Sequence, residues 1–436
     1  MGHLSAKNEY QKLQRQLNRL PVGAPGEGTI FEILGILFSP EEAELVSRMP
    51  IRLATLKDIA RKVGQDPDVV KARLETLADK GLVFDLPLRG QTRYIANPTV
   101  VGFFEFSMMR IRDDFDQKKL AELFHRYIVE EPEFAGQFKD GKTITPFRTL
   151  VHESALPEDY SEILDWERAT ELVAGARRWG RSICHCRHVA QHQERACQKT
   201  PLDVCMVLGG AVSYLARHDF AKEIDKAEAL DLLALAREAG TVHICDNVQK
   251  KPTFLCNCCG CCCEVLLGFK QWHQPEAQAF SSNFLATIDA NLCNGCKKCQ
   301  KACPVEAIQV EKQPPGQVRG RKVAGLAVVE EETCLGCGVC VRQCKQKAMT
   351  MRARPQRRIT PVNMVTRILL MSLEQGKLQD LLFDRTQGMG GLAANTLLSA
   401  FFKLPLAKQL LANDLIKSRF LRFVMEKGSK SRSART

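Results

Sequence analysis

Two stretches of this chain, residues 286–310 and 327–351, carry one cysteine pattern, Cys-x-x-Cys-x-x-Cys-x-x-x-Cys, repeated at an offset of 41 residues. The first holds Cys293, Cys296, Cys299 and Cys303, and the second holds Cys334, Cys337, Cys340 and Cys344. No other feature limits the possible folds as strongly, because thiols this dense must meet either one another or a metal. The polar start, MGHLSAKNEYQKLQRQLNRL, lacks the apolar core of a secretory signal, and no run of about 18 apolar residues is present. These features predict a cytoplasmic chain whose thiols stay reduced, and the odd total of 19 cysteines agrees with that. Metal binding is therefore expected rather than a disulfide framework.

Each run follows a short apolar alternation and precedes an Ala-apolar pair, Ala307-Ile308 or Ala348-Met349. Between them, EKQPPGQVRGRK (311–322) reads as a polar turn within a β-hairpin. The repeat resembles the bacterial-type ferredoxin with two [4Fe–4S] clusters. The resemblance implies that Cys293, Cys296 and Cys299 hold one cluster with Cys344, while Cys334, Cys337 and Cys340 hold the second with Cys303. Gly295 and Gly336 would relieve crowding and leave backbone N–H groups for cluster sulfurs. The first run ends in Cys303-Pro304, as that family does. The second ends in Cys344-Lys345, a departure that puts a cation near the first cluster. Two structural zinc sites are the alternative, and the doubled four-cysteine spacing argues against them.

Eleven cysteines precede the repeat: Cys184, Cys186, Cys197, Cys205, Cys245, Cys256, Cys258, Cys259, Cys261, Cys262 and Cys263. The last six lie within FLCNCCGCCCEVL. Zinc sites usually show paired cysteines two to four residues apart, whereas here Cys-x-Cys and adjacent cysteines dominate. Adjacent side chains do not easily face one metal, so the six are expected to diverge to two centres. The ligands would come from separate loops held by helices, with Cys205 opening one helix and residues 225–240 forming another. Soft thiolates in this number favour one or two additional iron–sulfur clusters over zinc. His185, His188 and His192 read as hydrogen-bond donors or proton carriers rather than ligands. Arg187 reads as a partner for a reduced cluster or for a nearby carboxylate. The C-x-C-R-H and CNCCGCCC stretches ahead of the dicluster run resemble the multi-cluster 4Fe–4S binding proteins of anaerobic bacteria. That resemblance implies electron transfer and supplies no substrate.

In the N-terminal third, residues 56–97 resemble a winged helix-turn-helix, with Gly64 as the turn, Asp66-Pro67 opening the second helix and Arg89-Gly90 in the wing. That second helix opens with Asp66 and Asp68 and later carries Glu75 and Asp79 against Lys71, Arg73 and Lys80, so its face is near neutral at best and its leading end would repel phosphates. Docking or homodimerisation is therefore the first reading, and DNA binding the second. VVGFFEFSMMRIRDDF (100–115) is expected to be a helical core segment, and residues 136–175 an irregular connector leading to a helix.

The expected class is α+β and multidomain. A winged-helix-like domain (1–100) and a helical connector (101–175) would precede a helical Cys-rich cluster-binding module (176–275). A ferredoxin-like 2[4Fe–4S] domain (276–356) and an amphipathic basic helical tail (357–436) would follow. The net charge is +12, and residues 417–436 hold seven Lys/Arg against one Glu. The tail is expected to pack on the body or on a partner subunit, with peripheral contact at the inner face of a membrane as the other reading. The Gly388-x-Gly390-x-x-Ala393 stretch follows no strand and is not a dinucleotide fingerprint. Without a flavin or nicotinamide motif, electrons would pass through redox partner proteins, acidic ones by charge complementarity. The function read first is an electron-transfer protein or redox subunit. The alternatives are an oxidoreductase with an active-site cluster in the Cys-rich module and an iron–sulfur redox-sensing transcription regulator.

Overall fold

A computed structural model describes residues 2–382, apart from 27, 139–142, 157–162, 273–278, 312–316, 319–320 and 323–324. The basic segment 417–436 and the Gly388 stretch lie outside the described residues.

The N-terminal region is helical, with helices Gly2–Leu17, Thr29–Leu37 and Pro40–Arg48 packed on one core. Ser39 and Glu42 cap Pro40–Arg48 reciprocally, each satisfying a free backbone N–H of the first turn. Helix Leu56–Val63 ends at Gly64 in the left-handed conformation (φ 71°). Helix Pro67–Asp79 starts on the Asp66 carboxylate and buries Val70, Leu74 and Leu77. Strands Val83–Leu88 and Gln91–Ala96 pair through Arg89 (φ 52°) and Gly90 (φ 77°), a two-residue turn whose positive φ values match the strand twist. The short strand Ala54–Thr55 completes a three-stranded antiparallel sheet.

The run expected to be helical at 100–115 is helix only over Phe104–Met108. Val101 has φ 53°, which a continuous helix cannot contain, so residues 99–103 form a wide turn. Its aromatic residues do lie in the core: Phe104 meets Phe103 at 5.0 Å and Phe124 at 4.8 Å between ring centroids.

The larger correction concerns the Cys-rich module. It is built on a six-stranded antiparallel sheet rather than on helices alone. The strand order is Phe147–Leu150, Val242–Asp246, Phe254–Cys258, Cys205–Leu208, Trp179–Ser182, Lys222–Ile224. Residues 136–175 therefore supply an edge strand, and Cys205 opens a strand rather than a helix. The physical reason is burial on both sides. Phe147–Leu150, Cys205–Leu208 and Val242–Asp246 are buried at every position, so they show no polar-apolar alternation, and each is only four or five residues long. Helices Ala169–Ala174 and Lys226–Glu238 cover one face with Leu172, Val173, Leu232 and Leu233. The dicluster repeat shares a core with the other face through Ile244, Cys258 and Val305.

Each cysteine run links a strand of one two-stranded antiparallel sheet to a strand of another. Strand Phe284–Ile288 pairs with Met349–Ala353, and Ile308–Glu311 pairs with Leu326–Val329. Helix Met364–Glu374 folds back on the body. Its Arg367 meets the fully buried Asp246 at 2.6 Å, and Leu370 and Met371 join the N-terminal core. Beyond it, Asp380 pairs with Arg19 at 3.3 Å.

Candidate metal centres

The repeat is visible in the backbone as well as in the sequence. Gly295 and Gly336 both have φ 67°, Lys297 and Gly338 have φ 61° and 79°, and Glu306 and Lys347 have φ 60° and 53°. Left-handed residues at matching positions curl each loop inward, so successive cysteines face a common centre. Gly336 is also required by space: a Cβ there would stand 2.1 Å from the Phe284 carbonyl oxygen. A Cβ on Gly295 would stand 2.5 Å from the Gly325 oxygen.

Cys293, Cys296 and Cys299 line one pocket together with Cys344 from the other run. Cys296 is exposed at its mouth, and Cys299 is buried at its back. Of the other four thiols, Cys303 is half-buried like Cys293 and Cys344, and three lie deeper. Cys334, Cys337 and Cys340 are buried. Burial pushes the Cys303 thiol up to about 11, with Cys334 adding to the effect, and raises Cys337 and Cys340 further. Buried thiols with such values stay protonated until a metal supplies positive charge. The Ala307 N–H donates to Cys303 Sγ at 3.2 Å, the kind of contact that holds a ligand sulfur in place.

Of the eleven cysteines ahead of the repeat, ten form two separate groups. Six make a closed ring of neighbouring thiols: Cys184, Cys205, Cys256, Cys258, Cys263 and Cys186, with Cys186 returning to Cys184. Sheet register explains half of this ring. Cys256 and Cys258 are two apart on one strand, so they share a face. Met206 pairs with Leu255, which sets Cys205 beside Cys256. Cys184 and Cys186 come from the start of helix His185–His192, and Cys263 from the residue before helix Glu264–Trp272. Hydrogen bonds from Cys205 and then Cys258 lower Cys256 to about 6, and those from Cys186 and then Cys258 lower Cys263 to about 5. Cys184 is lowered by Cys186 and Cys205, whereas the intervening Cys186, Cys205 and Cys258 are raised.

The second group is Cys197, Cys259, Cys261 and Cys262, whose sulfurs all lie within 4.8 Å of one another. The adjacent pairs Cys258-Cys259 and Cys262-Cys263 therefore split between the two groups. Arg187 is buried and donates to the Cys197 carbonyl at 2.6 Å, to Cys197 Sγ at 3.3 Å and to Cys259 Sγ at 3.2 Å, so its partners are the cysteines rather than a carboxylate. The Cys197 N–H donates to Cys262 Sγ at 3.4 Å. A brace that sequence reading missed fixes the loop. Arg195 donates to the Cys261 carbonyl at 3.1 Å and pairs with the buried Glu264, which also meets His125 Nδ1 at 2.8 Å. An Arg and a Glu beside a cysteine run carried no motif that would have singled them out.

Cys245 joins neither group. It pairs in register with Leu255 and Arg148, so it faces the opposite side of the sheet from Cys256 and Cys258. Its Sγ donates to the Asp246 carbonyl at 3.3 Å. The histidines turn to the protein rather than to sulfur. His188 Nδ1 meets the Met108 carbonyl at 2.7 Å, His192 stacks near His188, and buried His185 packs on Phe124 with its pKa lowered to about 4 by desolvation.

Two contacts join the Cys-rich loop and the sheet to the repeat. A Cβ on Gly260, which lies between Cys259 and Cys261, would stand 2.5 Å from the Pro304 oxygen. The His152 N–H donates to the Cys337 carbonyl at 2.9 Å.

Residues 292–348 match the family described as the 4Fe-4S dicluster domain. No curated protein and no solved structure matches the chain. The match spans both cysteine runs, and its thiols surround sites of the right chemistry. This is an iron–sulfur protein with the cysteine equipment of electron transfer. Among the described residues no helix is long and apolar enough to cross a membrane.

Proposed function

We propose that this chain relays electrons between partner proteins through a graded series of iron–sulfur centres. Cys293, Cys296, Cys299 and Cys344 hold one [4Fe–4S] cluster, and Cys303, Cys334, Cys337 and Cys340 hold the second. The six-thiol ring holds a further iron–sulfur centre. Among the described residues no three of its sulfurs approach one another as closely as the compact four do, which suits several irons rather than one ion.

The observation that carries the reading is the gradient of burial through one continuous core. Cys296 is exposed, Cys334, Cys337 and Cys340 are buried, and the ring thiols Cys258 and Cys263 belong to the same hydrophobic cluster as those three. Electrons exchange with partners at the Cys296 end and pass inward to the ring. Lys297, Lys298, Lys301, Lys345 and Lys347 are exposed around that end. Such a collar favours an acidic redox partner and salt-sensitive association. The exposed side of helix Pro67–Asp79 carries Asp66, Asp68, Glu75 and Asp79 against Lys71, and Lys71 lies 3.8 Å from Glu75. This surface suits protein contact, including self-association, better than a DNA backbone.

The test is iron, acid-labile sulfide and reduced-state EPR on full-length protein purified without air. About eight irons per chain from the two cubanes, plus additional iron lost on Cys258→Ser, supports the relay. Iron that stays at about eight with or without that change removes the ring from the path.

A further inference from the structure

We propose that Cys197, Cys259, Cys261 and Cys262 bind a single tetrahedral zinc ion, distinct from every iron–sulfur centre of the chain. The argument is one of size. Four thiolates about 2.3 Å from one ion form a tetrahedron with sulfurs about 3.8 Å apart. On a cubane each thiolate sits on a different iron, and its sulfurs stand about 6 Å apart. Here Cys197 and Cys259 are 3.7 Å apart, Cys261 and Cys262 are 3.8 Å apart, and no pair in the group exceeds 4.8 Å. Two edges of the frame match those around a single ion, and none reaches the spacing of an Fe₄S₄ core. No three of the ferredoxin-type cysteines draw this close among the described residues.

The surroundings are those of a closed structural site. Four thiolates around a divalent ion leave a net charge of about −2, and Arg187, buried against Cys197 and Cys259, offsets part of it. The Cys197 N–H on Cys262 Sγ fixes one ligand, and Arg195 on the Cys261 and Cys262 carbonyls fixes the loop that carries the others. Binding exchanges four thiol protons for one ion and needs no oxidant or reductant. The ion would tie residue 197 to the loop 259–262. Cys258 and Cys263 flank that loop but are held on strand Phe254–Cys258 and ahead of helix Glu264–Trp272, so the ion is structural, carries no electrons and leaves the ring its own scaffold.

The experiment is metal and sulfide analysis of the full-length chain purified anaerobically from medium containing both iron and zinc. About one zinc per chain is expected, with zinc-edge X-ray absorption showing four sulfurs at about 2.3 Å. Cys261→Ser, at the exposed corner of the site, should weaken zinc retention at least tenfold while iron and sulfide remain. Absence of zinc from the unmodified protein overturns the proposal, whether or not any variant folds. So does loss of iron and sulfide together in Cys261→Ser, which would mean a cubane, or loss of iron without sulfide, which would mean a mononuclear iron. None of these outcomes bears on iron at the ring, which the Cys258→Ser measurement reads separately.

Discussion

The dicluster repeat and the Cys-rich module both gather thiols, but they do so by opposite means. In the repeat each run of cysteines spans eleven residues, and left-handed turns at the same positions of both runs aim them inward. In the module the ring draws from four separated places: residues 184–186, strand Cys205–Leu208, strand Phe254–Cys258 and residue 263. The first arrangement is written in local backbone geometry. The second exists only once the sheet has formed. A site of the first kind should tolerate distant damage, and a site of the second kind should not.

The largest effect that could break this contrast is ligand removal. Cys337→Ser should cost about four irons and one ferredoxin-type EPR signal while leaving iron at the ring. Cys258→Ser with Cys263→Ser should do the reverse, and loss of all iron in either variant would show that the two regions do not load independently. Next is Arg367→Met. It leaves Asp246, which is 0% exposed at the end of a central strand, with hydrogen bonds from Thr253 but no charge partner, and breaking such a buried pair costs about 3–5 kcal/mol. Chemical denaturation should report that loss, and iron should leave the ring at lower denaturant than it leaves the repeat.

Gly336→Ala probes the local side. It combines φ 67° with a contact of 2.1 Å to backbone, so a cost above about 2 kcal/mol and loss of the deeper cubane are expected. Gly64→Ala is the control: φ is 71° but nothing lies within 4 Å, so only the left-handed strain of about 1 kcal/mol applies. Equal thermal shifts for the two would remove the steric argument.

The smallest effect concerns the latch between the N-terminal sheet and the Cys-rich module. His218 lies 2.5 Å from Asp79 and 2.9 Å from Asp85. Burial opposes its charge, but hydrogen bonds to Asp85 and then Asp79 outweigh that and raise its pKa above the ordinary value. A raised folded-state pKa means that the stabilisation is complete below the unfolded value of about 6.5 and fades as pH rises through the folded one. Thermal melts from acid toward neutral and mildly alkaline pH should show this decline, and His218→Gln should flatten it.

The same contrast explains what the sequence disclosed. Spacing alone revealed the repeat, because its chemistry is local. Adjacency of Cys258 with Cys259 and of Cys262 with Cys263 was enough to expect two centres. Which thiol went to which group depended on strand pairing, and strands buried on both faces leave no alternating signature. Cys245 was indistinguishable from its neighbours by composition. Only its register with Leu255 separates it. Arg187 was noticed for its place in C-x-C-R-H, yet its contact with Cys259 crosses 72 residues.

Strand Phe254–Cys258 acts as a parity code for chemistry. Its odd-numbered positions present Leu255 and Asn257 to one side, and its even-numbered ones present Cys256 and Cys258 to the other. Lengthening the chain by one residue just before Leu255, with pairing re-formed in the old register, would turn the sulfurs toward the helical layer and the leucine toward the ring. Lengthening it by two would restore the facing. An insertion series read by iron content should therefore be even–odd rather than gradual.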